Sequence, residues 1–437
     1  CYLLGGILLS EVVRAYLVLI LAAGTFGLLS VACSSFFRRT SSALVVSYLI
    51  ILPLALLCIA LTRTNAAASD AAAATAREFV TFASIALLPP WCLATWTIVV
   101  ILINRRLLRP PDVGSEGKEV VDEEQEMKYA VGVVIDRDMF PDRLFAPAKR
   151  TDLMPDGTNP VLDKELRSEI FSQGTLMLRL VIQVSMFLSI PLMAMFLFWK
   201  SANASSYVAY VLTFNLLVGP VFSAGSITQE RERQTLALLL TTLLRPGRIV
   251  FAKLLAALRV STVLTFLLTE QLLLAYILVW DLRSHFETLF IFLAIIAETC
   301  LLTTTVGLLC SSLARRTSIA MIFTYMALLV LFAGPLGLNR FLLNFGGESV
   351  SESRLAALTI TSPYSAALSV PLPASTTIEG ASFETGVPTA AVAPPIPGLG
   401  MPVWEAFLLV TPPLCLVLNG LTYLAFRWRW WRAGAGA

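Results

Sequence analysis

Two groups of charged residues lie where an otherwise apolar chain has least reason to keep them. Glu270 and Glu298 fall inside long apolar runs, each 14 residues from a turn centred near position 284. At 1.5 Å per residue that is roughly 21 Å from the turn, so the two carboxylates are expected at similar depth on adjacent antiparallel helices. Carboxylates placed that way could share a proton and form an intramembrane polar site. The competing reading keeps each one neutral or hydrogen-bonded across the bundle, to Gln271 or to Thr303, Thr304 and Thr305. The second group is the run Glu230, Arg231, Glu232 and Arg233 within ITQERERQTLALLLTT. Neither group is suited to covalent catalysis, because the chain has a single histidine, His285, and no Ser-His-Asp or Cys-His set can be assembled. The seven cysteines lack disulfide or zinc spacing and read as small packing residues. No metal site is expected.

The charged run reads as the start of a helix. Ser226 and Gln229 have capping-box spacing, and Glu230 and Glu232 put negative charge in the first turn. From Thr235 the sequence LALLLTTLL is apolar, with Leu236 and Leu239 placed to seat the helix, until Pro246 and Gly247 end it. A short amphipathic helix over 226–245 is expected at the membrane surface, either as a plain connector or as a surface that offers its charges to a partner.

The elements that hold these residues are membrane spans. With 57 % hydrophobic and 14 % charged residues, the chain is far from a soluble composition. A span needs about 20 apolar residues; such runs occur at 12–34, 41–62, 80–103, 176–199, 206–224, 256–280, 288–312, 317–337 and 404–426. The basic groups Arg38 with Arg39, Arg105 with Arg106 and Arg109, Arg231 to Arg248, Arg315 with Arg316, and Arg427 to Arg432 alternate correctly with these spans as cytoplasmic turns. This gives a multi-pass protein of the cell inner (plasma) membrane with a cytoplasmic C-terminus. A net charge of +3, with basic residues at helix ends, gives no reason to expect nucleic acid. Two polar stretches interrupt the spans: a cytoplasmic linker over 105–165 and a Pro-, Ser- and Thr-rich external loop over 338–403.

An internal repeat sets the organisation. CSSFFRRTSSALVVSYL, from Cys33, and CSSLARRTSIAMIFTYM, from Cys310, are identical at 9 of 17 positions. Both run from the end of one span, through an Arg-Arg turn, into the next. The fold class expected is therefore all-α, a polytopic transmembrane helical bundle of two tandem units. Residues 1–104 form the C-terminal part of the first unit, with about three spans, and 166–437 form a second unit of six. The first copy is expected to lack two or three spans ahead of Cys1.

The stretch SITQERERQTLALLLTTLLRPGRIVFAKLLAAL resembles the signature of ABC transporter permeases of the ABC-two class. Glu230, Glu232, Arg233, Thr235, Leu238, Leu239, Leu240, Thr241 and Lys253 match that pattern. Gln234 stands where Gly is usual, and Leu243 where Pro is usual. NPVLDKELRSEIF resembles the segment ahead of the first span in such permeases, and the CSS..RRTS turn resembles a later one. The resemblance covers about 159–430, with 12–104 as a partial second copy. It implies that 226–245 is a coupling helix, that Glu230, Arg231, Glu232, Arg233 and Thr235 meet a dimer of cytoplasmic ABC ATPase subunits, and that those subunits bind ATP and Mg. The chain itself has no G-x-x-x-x-G-K-[ST], so no cofactor of its own and no enzyme activity are expected. Outward transport driven by a separate ATPase is the reading that follows. An ion-coupled transporter using Glu270 and Glu298, or a non-transporting membrane anchor or assembly protein, are the alternatives.

Overall fold

The computed structural model describes residues 9–36, 40–66, 88–108, 159–167, 187, 189–198, 204–242, 244–279, 286–345, 357–371 and 400–434. Every regular element among them is helical. In a bilayer only helices and closed barrels satisfy their own backbone groups, so long apolar runs without alternation are helices. Six described helices are long and apolar enough to cross a membrane, and two shorter apolar stretches, Ala43–Leu56 and Cys92–Arg105, accompany them. The chain divides into two compact units.

The first unit contains α1 (Leu9–Phe36), α2 (Thr40–Ala66) and α3 (Leu88–Leu108). They overlap three of the expected spans, 12–34, 41–62 and 80–103. α1 packs against both of the others, and Trp96 of α3 lies across Gly24 of α1, where any side chain would meet the indole. Hydroxyls inside these helices donate to their own backbone, as Thr25 Oγ1 does to the Ala22 carbonyl at 2.8 Å and Ser47 Oγ to that of Leu44 at 2.8 Å. That is the least costly way to hold a hydroxyl in apolar surroundings. Arg38 and Arg39 lie outside the described residues.

The second unit opens with the short α4 (Pro160–Arg167) at the end of the expected linker, which is otherwise outside the described residues except for the end of α3. Of the run 176–199 only 187 and 189–198 are described, ending in a π-helical turn, Ala194–Phe198. Then come α5 (Ala204–Ser223), two short helices α6 (Thr228–Glu232) and α7 (Leu236–Thr241), α8 (Pro246–Leu278), α9 (Phe286–Leu313), α10 (Thr317–Phe345), α11 (Pro363–Ser369) and α12 (Val403–Gly434). α8 starts ten residues before the expected span because Pro246 takes the first helical position, where a missing N–H costs nothing.

α5 and α9 form the interior. The apolar window of α5 is 72 % buried and that of α9 61 %, against 22 % for α10 and for α12. α9 packs against α5, α8, α10 and α12. Close approach of α5 and α9 depends on two glycines: a Cβ at Gly219 would stand 2.7 Å from Thr303 Oγ1, and one at Gly307 would be 2.8 Å from Ser223 Cβ. Small residues at such crossings are the usual means of packing helices in lipid. Between α5, α8 and α9, buried Asn215 Nδ2 donates to Ser261 Oγ (3.2 Å) and Thr265 Oγ1 (3.0 Å), and its Oδ1 accepts from Thr303 Oγ1 (3.0 Å).

The stretch 338–403, expected as an external loop, is partly ordered helix. α10 runs on to Phe345, and α11 packs against α5, α9 and α12 with Ala366 and Ala367 fully buried. Thr213 Oγ1 and Tyr364 OH lie 3.1 Å apart. Residues 346–356 and 372–399 are outside the described set.

Candidate functional site

The single helix expected over 226–245 is two short ones. The chain leaves α5 through the turn 224–227, forms α6, and breaks at Gln234, which has φ 58°, before α7. A left-handed backbone costs an L-residue roughly 1–2 kcal/mol and costs glycine little. The Gln234 position, where Gly is usual in the resembling permeases, thus has a conformational reason for that preference. The Ser226–Gln229 capping box does not form: Ser226 Oγ donates to the Ser223 carbonyl at 2.8 Å, and α6 has no side-chain cap from its own N-cap residue, Ile227.

The cap comes from another element. Ser311 Oγ, fully buried near the end of α9, accepts from Ile227 N (3.0 Å) and Thr228 N (3.2 Å). The Ala314 carbonyl accepts from Arg231 Nη1. Glu232 in turn caps α10: its Oε1 accepts from Thr317 N at 2.6 Å and its Oε2 from Thr317 Oγ1 at 2.8 Å. A carboxylate at a helix N-terminus meets both the free N–H groups and the positive end of the dipole. Ser311, Ala314 and Thr317 all belong to the repeated Cys-Ser-Ser to Arg-Arg-Thr-Ser turn. Two motifs that look unrelated along the chain are therefore one interlocked unit. In the first copy the serine matching Ser311 is Ser34, which is exposed, although Ser35 and Ser312 make the same bond to the carbonyl three residues back.

Beneath the charged run sits Lys253, only 2 % exposed although it belongs to a charged type. Its Nζ donates to Glu165 Oε1 of α4 at 2.8 Å and to the Ser226 carbonyl at 2.8 Å, and stands 3.6 Å from Glu230 Oε1. Lys164 Nζ reaches the same Glu230 oxygen at 2.9 Å, and Thr235 Oγ1 donates to Glu230 Oε2. Burial alone would push the Glu230 carboxyl up, but the Thr235 hydroxyl, Lys164 and the Lys253 charge outweigh it and hold the group at about 2. An apolar cluster completes the joint: Val161, Ile227, Ile249, Val250, Leu308 and Phe426, with Leu236 and Leu239 packed against them. Asn159 Oδ1 accepts from Val161 N at 3.2 Å, while its Nδ2 donates to the Arg248 carbonyl at 2.8 Å.

Of the four charges expected to face a partner, Glu230, Arg231 and Glu232 are therefore engaged within the chain. Arg233 is exposed, with no side-chain partner among the described residues. Leu238 is 69 % exposed on the outer side of α7. Arg315 and Arg316 are exposed beside the same joint. The roles of Lys164, Glu165, Ser311 and Thr317 were not legible beforehand. Only a downstream Lys ahead of a span pointed to Lys253, and nothing marked Glu165 as its partner.

The intramembrane carboxylates are not brought together among the described contacts. Glu270 is exposed on α8, whereas Glu298 is half-buried on α9. Gln271 is occupied elsewhere, its Oε1 accepting from Tyr207 OH at 2.8 Å and its Nε2 donating to Ser189 Oγ. Thr304 and Thr305 each donate to a carbonyl of α9 itself, and the Thr303 hydroxyl is shared between Asn215 Oδ1 and the Thr299 carbonyl. His285 lies outside the described residues.

A helical bundle with six membrane-crossing candidates, interrupted by a charged joint tied to a second turn, defines an integral multi-pass membrane protein. A family model described as ABC-2 family transporter protein matches residues 115–429. The chain belongs to that family, and it is a transmembrane subunit of an ABC transporter. No curated protein and no solved structure matches it significantly.

Proposed function

We propose that this chain is the membrane subunit of an ATP-driven exporter, and that α6 and α7 are its coupling element for a separate cytoplasmic ATPase dimer. The observation that carries the reading is the clamp on this element. Lys253 and Glu230 tie it to α4 and α8, and Glu232, Arg231 and Ser311 tie it to the α9–α10 turn. A push on so braced an element moves the ends of α4, α5, α8, α9 and α10 as one body, which is how nucleotide-driven closure of a partner would tilt spans. Arg233 and Leu238 offer the partner a cation and an apolar anchor. ATP and Mg are bound by the partner, whose hydrolysis supplies the work. In this reading the face and the C-terminus are cytoplasmic and the membrane is the cell's inner one, which the basic residues at the turns support.

The test is co-purification. Full-length chain is expected to retain an ATPase subunit, and Arg233→Glu with Leu238→Asp is expected to release it while the melting temperature stays within about 2 °C, since neither side chain is buried. Retention of the ATPase, together with undiminished ATP-dependent efflux, would overturn the proposal.

A further inference from the structure

Beyond Glu287 in its first turn, α9 carries one carboxylate, Glu298, near the middle of its 28 residues. Its Oε2 is buried without a hydrogen-bond partner, and it is the only ionisable group among the described residues in that condition. The groups that could have satisfied it are engaged, Gln271 with Tyr207 and Ser189, and Thr303, Thr304 and Thr305 with α9 carbonyls. One turn further along, Leu301 and Leu302 pack into an apolar cluster with Leu328, Leu331 and Phe332 of α10 and Leu414, Cys415 and Leu418 of α12. No Lys or Arg occurs in α5, in α10 before Arg340, or in α12 before Arg427. The chain thus places a carboxyl in apolar surroundings with no cation from these helices at that depth among the described residues.

An isolated carboxylate in such surroundings is strongly disfavoured unless a positive charge reaches it. Glu298 is half-buried, so its site is open on one side. The helix face leading to it carries Ala294 and Phe290, the latter 68 % exposed, at spacings of four residues. Ala294 is itself half-buried, and its single methyl leaves room between the Phe290 ring and the carboxylate. A bare metal ion is the wrong occupant, because hard cations need six or more oxygen ligands, and no group of three metal-ligating side chains occurs among the described residues. A large, weakly hydrated cation needs one counter-charge and an apolar wall, and this site has both.

We propose that Glu298 is the anionic subsite for a lipophilic organic cation, which enters from the membrane and lies against the Phe290–Ala294 face of α9. The inference stands apart from the exporter reading, since it concerns binding and needs neither ATPase nor transport.

Binding of tetraphenylphosphonium to the full chain in phosphatidylcholine nanodiscs tests it, with tetraphenylborate as an anion of the same size and shape. After subtraction of uptake by empty nanodiscs, saturable binding of the cation and none of the anion is expected for the unaltered chain. Glu298→Gln should weaken cation binding about tenfold or more, the change expected on losing one charged partner, while Glu298→Asp and Glu270→Gln retain it. Equal binding of cation and anion, uptake no greater than in empty nanodiscs, or full affinity in Glu298→Gln would each overturn the proposal. The comparison of the two ions uses the unaltered chain, so it decides the matter even if a variant does not fold.

Discussion

Replacing Lys253 by methionine removes the cation at the centre of the charged joint and keeps its length and apolar stem. Lys253 is 2 % exposed; its ammonium donates to Glu165 and the Ser226 carbonyl at 2.8 Å each and stands 3.6 Å from Glu230. Deleting one partner of a buried ion pair costs about 3–5 kcal/mol. The lower end applies here. The Glu165 side chain is 19 % exposed and recovers some hydration, and Glu230 keeps Lys164 and Thr235. The Ser226 carbonyl loses a bond worth about 1 kcal/mol within that total. An expected loss of about 3 kcal/mol lowers the melting temperature by roughly 3–5 °C, on an unfolding entropy of about 2 cal/mol/K per residue. Buried Cys300 and Cys415 provide the readout, because a thiol-reactive fluorophore labels them only as the bundle opens. Glu165→Leu on the Lys253→Met background should recover part of the loss, since an apolar pair replaces the stranded carboxylate. A Lys253→Met protein that melts within about 1 °C of the unaltered chain, or a double variant that is purely additive, would refute the clamp.

Gln234→Gly removes the left-handed strain at φ 58°; set against the extra backbone entropy of glycine, about 0.5–1 kcal/mol, the net gain is roughly 0.5 kcal/mol, read as a small rise in melting temperature. Glu232→Gln keeps an acceptor for Thr317 but loses the charge at the α10 N-terminus, and should cost about 0.5–1 kcal/mol by the same assay. The pH dependence has a definite sign. Because the folded Glu230 carboxyl is held at about 2, below the ordinary carboxylate range, its stabilisation is complete above that range and is lost only as pH falls towards the folded value. The difference in melting temperature between the unaltered chain and Glu230→Gln should therefore be the same at pH 7 and pH 6.

Much of the helix plan was legible because a spanning helix is a local object. Length, apolarity and basic ends mark it without reference to its neighbours, so the runs at 12–34, 206–224, 288–312 and 404–426 reappear as α1, α5, α9 and α12. The internal repeat was legible for the same reason. What the charges do was not, because a charged residue reads the same whether it faces water or a buried partner. Glu230, Arg231 and Glu232 read as an offered surface; in the fold they also meet Lys164, Lys253, Ala314 and Thr317, Glu232 while still exposed. The cap of α6 illustrates the limit: a local Ser226–Gln229 rule was available, and a serine 84 residues away takes its place.

By itself, the sequence determines an all-α membrane protein with a charged joint between two spans and carboxylates in two others, since hydropathy and charge act residue by residue along the chain. Only the tertiary structure decided that the joint and the repeated turn are one unit. It alone showed that Lys253 is the buried centre of that unit and that Glu298 Oε2 is left without a hydrogen-bond partner among the described residues. Those are facts about which groups meet, and meeting across 80 or more residues depends on how α5, α8 and α9 pack, through Gly219, Gly307 and the Asn215 cluster.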